Sequence, residues 1–237
     1  MTHNYGGDTF TVRIEDGLGQ GWYDNDWDQL PEIGYLATRM LKPGALVFDL
    51  GAHQSVVAMM LASKVKPNGK VIAVEANPHN ARIGRLNVER NSIRNIEIVE
   101  VAISNTIGNI ILNQGLNARI GDGTAAWGQT IVPSLTIDQL AQDFGIPDVI
   151  FIDIEGAEYM ALEGATNVLK HQADFFVEVH VNCRLEVLGR SVDKILLFFP
   201  IDRFEILVRS DGPGYFKPIQ ACDPVLKNRF FLLALCR

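Results

Sequence analysis

From residue 45 onward, short apolar runs rich in β-branched residues alternate with stretches of helical character. The first three runs predict strands over 45–50, 70–75 and 96–101, and a helix-like stretch follows each of the first two. Two further runs predict strands over 148–154 and 174–179. Nearly continuous apolar strands that are separated by helices are typical of a parallel sheet covered on both faces.

The C-terminal part of the chain has a different pattern. Two strand-like runs over 203–208 and 229–235 are joined by a turn-rich segment that contains Gly212, Pro213 and Gly214, with no helix between them. Since a parallel return needs a long crossover, we expect these two strands to be antiparallel. The predicted fold class is α/β, a doubly wound and mostly parallel sheet of seven strands whose last strand is antiparallel.

The alternation pauses over 104–134, where a strand-like arm at 108–112 is followed by a loop rich in glycine. We interpret this part as a hairpin and loop inserted into one domain that extends over 45–237. Residues 1–44 precede the alternation and are predicted to form an N-terminal cap with a helix over 30–41.

Composition and charge narrow the class of partner. The 237 residues are 47% apolar, and 21 basic against 28 acidic side chains give a net charge of −7. Such a surface repels phosphate groups, so we expect no binding to nucleic acid or to an anionic membrane. The longest apolar runs, 56–62 and 230–236, are far shorter than the roughly 20 residues that a membrane span requires. One soluble globular domain is expected, and its oligomeric state is not indicated.

The cysteine pattern bears on the cellular location. Cys183, Cys222 and Cys236 are odd in number and form no close pair, which is typical of reduced thiols. The first eight residues show neither a basic nor an apolar segment of a secretory signal. These observations predict a cytoplasmic protein.

In an open parallel sheet, ligands bind at the carboxyl ends of the strands. The first predicted strand ends at Asp49 and Gly51, and glycine there lets the backbone approach a ligand closely. The second ends at Glu75, which is well placed to accept hydrogen bonds from both hydroxyls of a ribose. The third ends at Val101 and Ala102, which are small enough for a purine to lie against. Together these strand ends predict that the first half of the domain binds a nucleoside.

The loop after the first strand distinguishes between two nucleoside cofactors. Dinucleotide sites need a second glycine for the pyrophosphate, but after Gly51 this loop has no further glycine and carries His53 instead. S-adenosylmethionine has no phosphate and carries a cationic sulfonium. Carboxylates from Asp49, Glu75 and Asp153 favour that cation in a partly desolvated cleft. A nicotinamide-dependent oxidoreductase is kept as an alternative.

Several motifs, in order along residues 42–182, resemble the FkbM family of S-adenosylmethionine-dependent methyltransferases. They are VFDLGAH at 47–53, VEANP at 74–78, LTIDQL at 135–140, IDIEGAE at 152–158, ALEGA at 161–165 and VEVH at 177–180. The resemblance implies a seven-stranded, Rossmann-like class I methyltransferase fold and methyl transfer to a hydroxyl, often on a sugar or a natural product. The family usually has asparagine at the position of His53 and glycine at that of Ser55.

Cofactor contacts are expected from the residues at these strand ends. They are Asp49, Gly51, Ala52, His53, Ser55, Glu75, Ala76, Asn77, Val101, Ala102 and Asp153. Ser55 is also a candidate N-cap for the helix that follows it. His53 and Ser55 support a further alternative, a binding module with this fold and little or no catalytic activity.

A base is expected where the fourth and fifth strands end side by side. His180, Asp153 and Glu155 are the candidates, in that order, because an unperturbed histidine has the pKa closest to working pH. With Glu178 the same residues resemble an oxygen-rich set of ligands for a divalent metal. Nothing in their spacing requires a metal, so the metal is the lesser alternative. The acceptor is expected to be a small hydroxylated molecule.

Two loops have a functional and a plain structural interpretation. The segment 114–129 contains Arg119, Asp122 and Trp127, and is either a lid that recognises the acceptor or an ordinary surface loop. The segment 21–28 places three aromatic residues among acids. It is predicted either to fold over the cofactor or only to fix the first helix to the domain.

Overall fold

The computed structural model describes most of the chain, in seven ranges. They are 1–113, 119–120, 128–182, 185–186, 190–212, 214–220 and 223–237. Asp122, Trp127, Cys183, Cys222 and the side chain of Arg119 therefore lie outside the described part. The lid interpretation of 114–129 stays a prediction.

The described residues form seven α-helices and fourteen strands, together with short 3-10 turns. In chain order they are β1 (Thr2–Tyr5), β2 (Asp8–Thr11), α1 (Gly17–Tyr23), α2 (Pro31–Ala37), β3 (Leu46–Leu50), α3 (Val56–Val65), β4 (Lys70–Val74), α4 (Pro78–Arg90), β5 (Ile96–Val99), β6 (Ala102–Ile103), β7 (Gly108–Asn113), β8 (Arg119–Ile120), β9 (Gln129–Leu135), α5 (Ile137–Phe144), β10 (Val149–Ile152), α6 (Glu158–Glu163), β11 (Asp174–Val179), α7 (Val192–Leu196), β12 (Phe204–Ser210), β13 (Lys217–Pro218) and β14 (Phe230–Cys236).

The central sheet has the strand order β13-β12-β14-β11-β10-β3-β4-β5. Strands β5, β4, β3, β10 and β11 pair in parallel, whereas β14 is antiparallel to both β11 and β12. The predicted α/β fold class, with its antiparallel last strand, is confirmed. The two-residue edge strand β13 is an addition that the hydrophobic pattern did not predict.

Apolar residues cover both faces of this sheet. On one face, one buried cluster contains Phe48 of β3 together with residues of α5, α6 and α7, among them Leu162. On the other face Val47 shares a second cluster with α2 and α3. That cluster also contains Tyr5 and Phe10, so the N-terminal hairpin β1–β2 helps to cover this face. The domain boundary at residue 44 stays a prediction.

The hydrophobic pattern did not predict two short N-terminal elements, because few of their residues are apolar. The hairpin β1–β2 turns at Gly6 and Gly7, both with positive φ. Asp16 is the N-cap of α1, and its side chain accepts a hydrogen bond from the Gly19 N–H. The helix predicted over 30–41 is shorter than expected and ends at Ala37. No helix in the described part of the chain has the length and apolar character needed to cross a membrane.

A second, four-stranded sheet has the order β6-β9-β7-β8 and occupies the region of the predicted insertion. Strand β7 is the predicted hairpin arm, and it pairs antiparallel with both β8 and β9. Strand β6 directly follows β5 and pairs with β9. This connection places the second sheet beside the carboxyl edge of the central one.

The turn from β3 into α3 is held close to the end of β10. Gly51 has a φ of +94°, and a Cβ there would overlap the carbonyl oxygen of Asp153. Only glycine both adopts this positive φ readily and has no Cβ to overlap the carbonyl. The Asp153 N–H also donates to the carbonyl of Leu50 at 2.9 Å, so the two strand ends are fixed together.

Ser55 begins α3 in the left-handed region, with a φ of 65°, and its side chain makes no capping hydrogen bond. Ser55 therefore occupies the predicted N-cap position but does not supply the side-chain hydrogen bond of an N-cap. Left-handed backbone holds the hydroxyl away from the free N–H groups of the helix, and the buried Ser55 Oγ has no hydrogen-bond partner among the described residues. It lies instead against Gly84 of α4, where a Cβ would overlap it.

We expect Gly84→Ala to lower the free energy of unfolding by about 1–3 kcal/mol, because the added methyl group overpacks the contact with Ser55. In a Ser55→Gly background the same change should be neutral or stabilise by up to about 1 kcal/mol, since alanine has the higher helix propensity. Urea unfolding of the four proteins measures the coupling between the two positions. An equal cost in both backgrounds would contradict the predicted contact.

Candidate active site

A cavity of about 670 Å³ opens at the carboxyl ends of β3, β4 and β10. Ten of the residues predicted from the sequence line it. They are Asp49, Gly51, Ala52, His53, Glu75, Ala76, Val101, Ala102, Asp153 and Glu155. The first two strand ends thus face one cavity from the same side, as the strand-end argument requires.

Three sequence-predicted residues do not line the cavity. Ser55 is turned toward Gly84, and the Asn77 side chain caps α4 by accepting a hydrogen bond from the His79 N–H. His180 is 3% exposed and lies behind the cavity wall. The side chains of Ser55 and Asn77 thus have local structural contacts, and their predicted contact with the cofactor stays a prediction.

At the end of the cavity formed by β3 and β4, two buried carboxyl groups have no cationic partner among the described residues. Burial raises the pKa of Asp49 from its ordinary 3.8 to about 7, and the nearby charge of Glu75 adds to the shift. Asp49 Oδ2 has no hydrogen-bond partner among the described residues. Such a group favours a ligand that brings a positive charge or a hydrogen-bond donor.

Glu75 is held in place by backbone N–H groups. Its Oε2 accepts from His53 N at 2.7 Å and its Oε1 from Asn77 N at 2.7 Å. Burial nevertheless outweighs these hydrogen bonds and raises the pKa to about 7. Each oxygen keeps a further lone pair, so the oriented carboxylate can accept two hydroxyl donors. These residues fit the ribose and the cationic tail of S-adenosylmethionine.

The opposite end of the cavity is formed where β10 and β11 end. Asp153 has a half-exposed side chain that faces the cavity, and Glu155 follows with a left-handed φ of 53° that only a well-supported turn tolerates. His180 Nε2 lies 3.7 Å from a carboxylate oxygen of each of them and 3.5 Å from Glu178 Oε1. The predicted cluster of β10 and β11 is therefore brought together.

The protonation of His180 differs from the sequence-based expectation. Burial lowers the pKa of the imidazole, but a 2.7 Å hydrogen bond from Nδ1 to Glu158 and the charges of Asp153 and Glu155 outweigh it and raise the pKa to about 9. A protonated, buried histidine outside the cavity wall cannot take a proton from an acceptor. The structure therefore favours Asp153, which lines the cavity, over His180, and which residue acts as the base stays a prediction.

An aromatic wall covers the cavity near the loop after β3. Trp22, Tyr23 and Trp27 line it, so the segment 21–28 does reach the site. The Tyr23 hydroxyl lies 2.9 Å from His53 Nδ1, and the Trp22 ring is centred 5.1 Å from the His53 ring. The His53 side chain therefore packs in the aromatic wall and does not fill the cavity.

The sequence pattern did not predict the charged residues that β12 and the start of β14 bring to the cavity. Arg209 pairs with Glu32 at 3.2 Å, and Arg229 contacts Glu178 at 3.3 Å. All four line the cavity. Because β14 is antiparallel, its amino end lies at the same edge as the carboxyl ends of the other strands. Extending the strand-end argument to the start of that strand would have found Arg229.

Comparisons with known proteins agree with this geometry. A family profile described as "Methyltransferase FkbM domain" matches residues 49–200. A probable cobalt-precorrin-6B C(15)-methyltransferase of Sulfolobus acidocaldarius is 40% identical over 57 residues, which are 24% of this chain and 30% of that protein. The chain thus spans less than a third of this curated relative.

Solved structures share the fold at low identity. An FkbM methyltransferase from Methylobacillus flagellatus is 16% identical with a TM-score of 0.54, over 81% of this chain and 43% of that one. A protein described as a putative rRNA methylase from Clostridium thermocellum is 10% identical with a TM-score of 0.54, over 95% and 100% of the two chains. With the profile covering well over half of the sequence, the chain belongs to the FkbM family of S-adenosylmethionine-dependent methyltransferases.

Proposed function

We propose that this protein transfers a methyl group from S-adenosylmethionine to a hydroxyl oxygen of a small acceptor. The observation that carries the proposal is the Asp153 carboxylate, which faces the cavity and has a raised pKa. A hydroxyl loses its proton as its oxygen becomes bonded to carbon. A carboxylate with a pKa near working pH is suited to accept that proton.

The cofactor would lie across the ends of β3 and β4. When bound, S-adenosylmethionine supplies an electrophilic methyl group on a cationic sulfur. Glu75 accepts hydrogen bonds from the ribose hydroxyls, while Asp49 offers a partnerless oxygen to the cationic part. Val101 and Ala102 provide the flat apolar surface for the adenine. Holding both reactants in line supplies most of the rate enhancement in such a displacement.

Charge supports a small acceptor over a nucleic acid. The whole chain carries a net charge of −7, and the cavity lining contains seven carboxylates but only two guanidinium groups, those of Arg209 and Arg229, among the described residues. The carboxylates are those of Glu32, Asp49, Glu75, Asp153, Glu155, Glu178 and Asp211. A phosphate backbone would be repelled from this cavity. The aromatic wall and the carboxylates fit a compact, uncharged hydroxylated molecule instead.

The alternatives that the sequence left open have less support. A binding module without activity was suggested by His53, but that side chain is held in the wall by Tyr23 and leaves the cavity open. The family profile provides no support for a nicotinamide-dependent oxidoreductase. The cytoplasmic location stays a prediction, and Cys236 is a free thiol within the described residues.

We expect Glu75→Gln to weaken S-adenosylmethionine binding at least tenfold, because hydrogen bonds to a charged acceptor contribute about 1.5–3 kcal/mol. The substitution keeps the size of the side chain and one acceptor oxygen. Calorimetric titration measures the affinity. Glu97→Gln is the matched control, since Glu97 lies on β5 and pairs with Lys70 outside the cavity. Equal affinities in the two variants would show that the ribose lies elsewhere.

The ligand-free protein should lose stability as pH rises from about 4 to about 7. Asp49 and Glu75 stay protonated in the folded protein up to about pH 7, whereas in the unfolded chain they ionise near their ordinary values. The unfolded state is thereby favoured on the order of 2–4 kcal/mol per carboxyl, and the loss is constant above that range.

Urea unfolding between pH 4 and pH 8 tests this dependence. Asp49→Asn should make the dependence of stability on pH less steep, because it removes one of the carboxyl groups with a raised pKa, whereas the exposed Asp143→Asn on α5 should not. S-adenosylmethionine should stabilise the protein more at pH 8 than at pH 5, because its cation binds the ionised carboxylates. If the free energy of unfolding of the wild-type protein rose between pH 4 and pH 7, and that of Asp49→Asn did not, the raised pKa of Asp49 would be contradicted.

We expect Asp153→Asn to lower turnover about 10²–10⁴-fold, which is the usual contribution of a general base. The protein is incubated with S-adenosylmethionine and a panel of sugars, phenols and hydroxy acids, with RNA as a further substrate. Mass spectrometry locates the transferred methyl group. A product methylated on carbon, nitrogen or RNA would overturn the proposed function, and Asp143→Asn controls for general effects of the substitution.

A further inference from the structure

Behind the cavity wall, a buried imidazole points one nitrogen into a group of carboxylates. His180 is 3% exposed, and its Nε2 has no hydrogen-bond partner among the described residues. One donor atom from each of Asp153, Glu155 and His180 lies within 4.8 Å of the other two. We propose that these three residues form a binding site for a divalent cation.

The spacing of the three donor atoms suits a single ion. Bonds of about 2.1 Å place ligand atoms on opposite sides of a cation about 4 Å apart. Small rotations of the two carboxylates are enough to bring 4.8 Å to that value, because Asp153 is half-exposed and faces open cavity space. The ion would also reduce the repulsion between the carboxylates that lie around His180 Nε2.

Glu158 provides the second argument for a metal. It is fully buried at the start of α6, and its Oε1 lies 2.7 Å from His180 Nδ1. Histidines that bind metals almost always donate their other ring N–H to such a carboxylate. This hydrogen bond fixes the ring so that the lone pair of the deprotonated Nε2 points at Asp153 and Glu155.

The set of two carboxylates and one imidazole selects a class of metal. Mg²⁺ and Ca²⁺ prefer oxygen ligands alone, whereas first-row transition ions such as Mn²⁺ accept oxygen and imidazole nitrogen together. The remaining coordination positions would face the cavity through Asp153 and Glu155, which both line it. There the ion can bind an acceptor with two adjacent oxygens, a detail that rests on the proposed function.

Mn²⁺ binding to the chelator-treated full-length protein tests the site without any need for methyl transfer. MnCl₂ is titrated in the absence of cofactor, and electron paramagnetic resonance follows the free ion. We expect one bound ion per chain, displaced poorly by Mg²⁺. Glu155→Gln and His180→Ala should each weaken the affinity at least about tenfold, and Glu158→Gln about 10–100-fold through the orientation of the ring.

Matched controls are available for both residue types. Glu97→Gln changes an exposed carboxylate on β5, and His171→Ala changes an exposed histidine, so both should bind Mn²⁺ with unchanged affinity. If His180→Ala fails to fold, the nearly isosteric Glu155→Gln decides. No bound Mn²⁺, or equal affinity in wild type and Glu155→Gln, would overturn the site and leave His180 as a cation held by its carboxylates.

The two proposals fail separately. S-adenosylmethionine binding that depends on Glu75, together with no Mn²⁺ binding, overturns the metal site alone. Mn²⁺ binding that depends on Glu155, together with no methyl transfer to a hydroxyl, overturns the proposed function and keeps the cation site.

Discussion

The cavity is organised by carboxylates that the protein itself only partly neutralises. Asp49, Glu75 and Asp153 lie at the ends of three adjacent strands, and burial raises the pKa of Asp49 and of Glu75 to about 7. Burying a charge without a partner is costly, so the ligand-free protein keeps protons on these groups at a pH where exposed carboxyl groups are ionised. A cationic ligand removes that cost. Affinity for such a ligand is therefore built into the position of the strand ends.

Backbone conformation makes this arrangement of carboxylates available. Gly51 lets the turn after β3 lie against the carbonyl of Asp153, which fixes the distance between the two halves of the cavity. His53, Ser55 and Glu155 have left-handed φ values in the turns that follow β3 and β10. Residues other than glycine in that region cost of order 1–3 kcal/mol each and persist where the surrounding structure holds them. Here the packing of Ser55 against Gly84 and the hydrogen bond of His53 to Tyr23 hold two of them.

The sheet was predictable because its signal is local and strong. Each of the parallel strands β3, β4, β5, β10 and β11 is a short apolar run between turn residues, and the strand-end rule then placed Asp49, Glu75 and Asp153 at one edge. Protonation was not predictable in this way. The position of Glu158 opposite His180 Nδ1 depends on how α6 packs on β11, and that contact raises the pKa of a residue that the sequence suggested as a base. Likewise, the ion pairs of Arg209 and Arg229 depend on tertiary contacts.

Asp153 joins the two ends of the cavity, which has a consequence for how its ligands influence one another. A cation at the β10–β11 end and the sulfonium of the cofactor would both draw on this carboxylate, so the two positive charges repel each other through a medium of low dielectric constant. Methyl transfer turns the sulfonium into a neutral thioether, which removes that repulsion. By linkage, a cation at Asp153 would favour the demethylated cofactor over the methylated one. Arg229, placed against Glu178 at the same end, reduces the net negative charge there and so limits how tightly a cation binds.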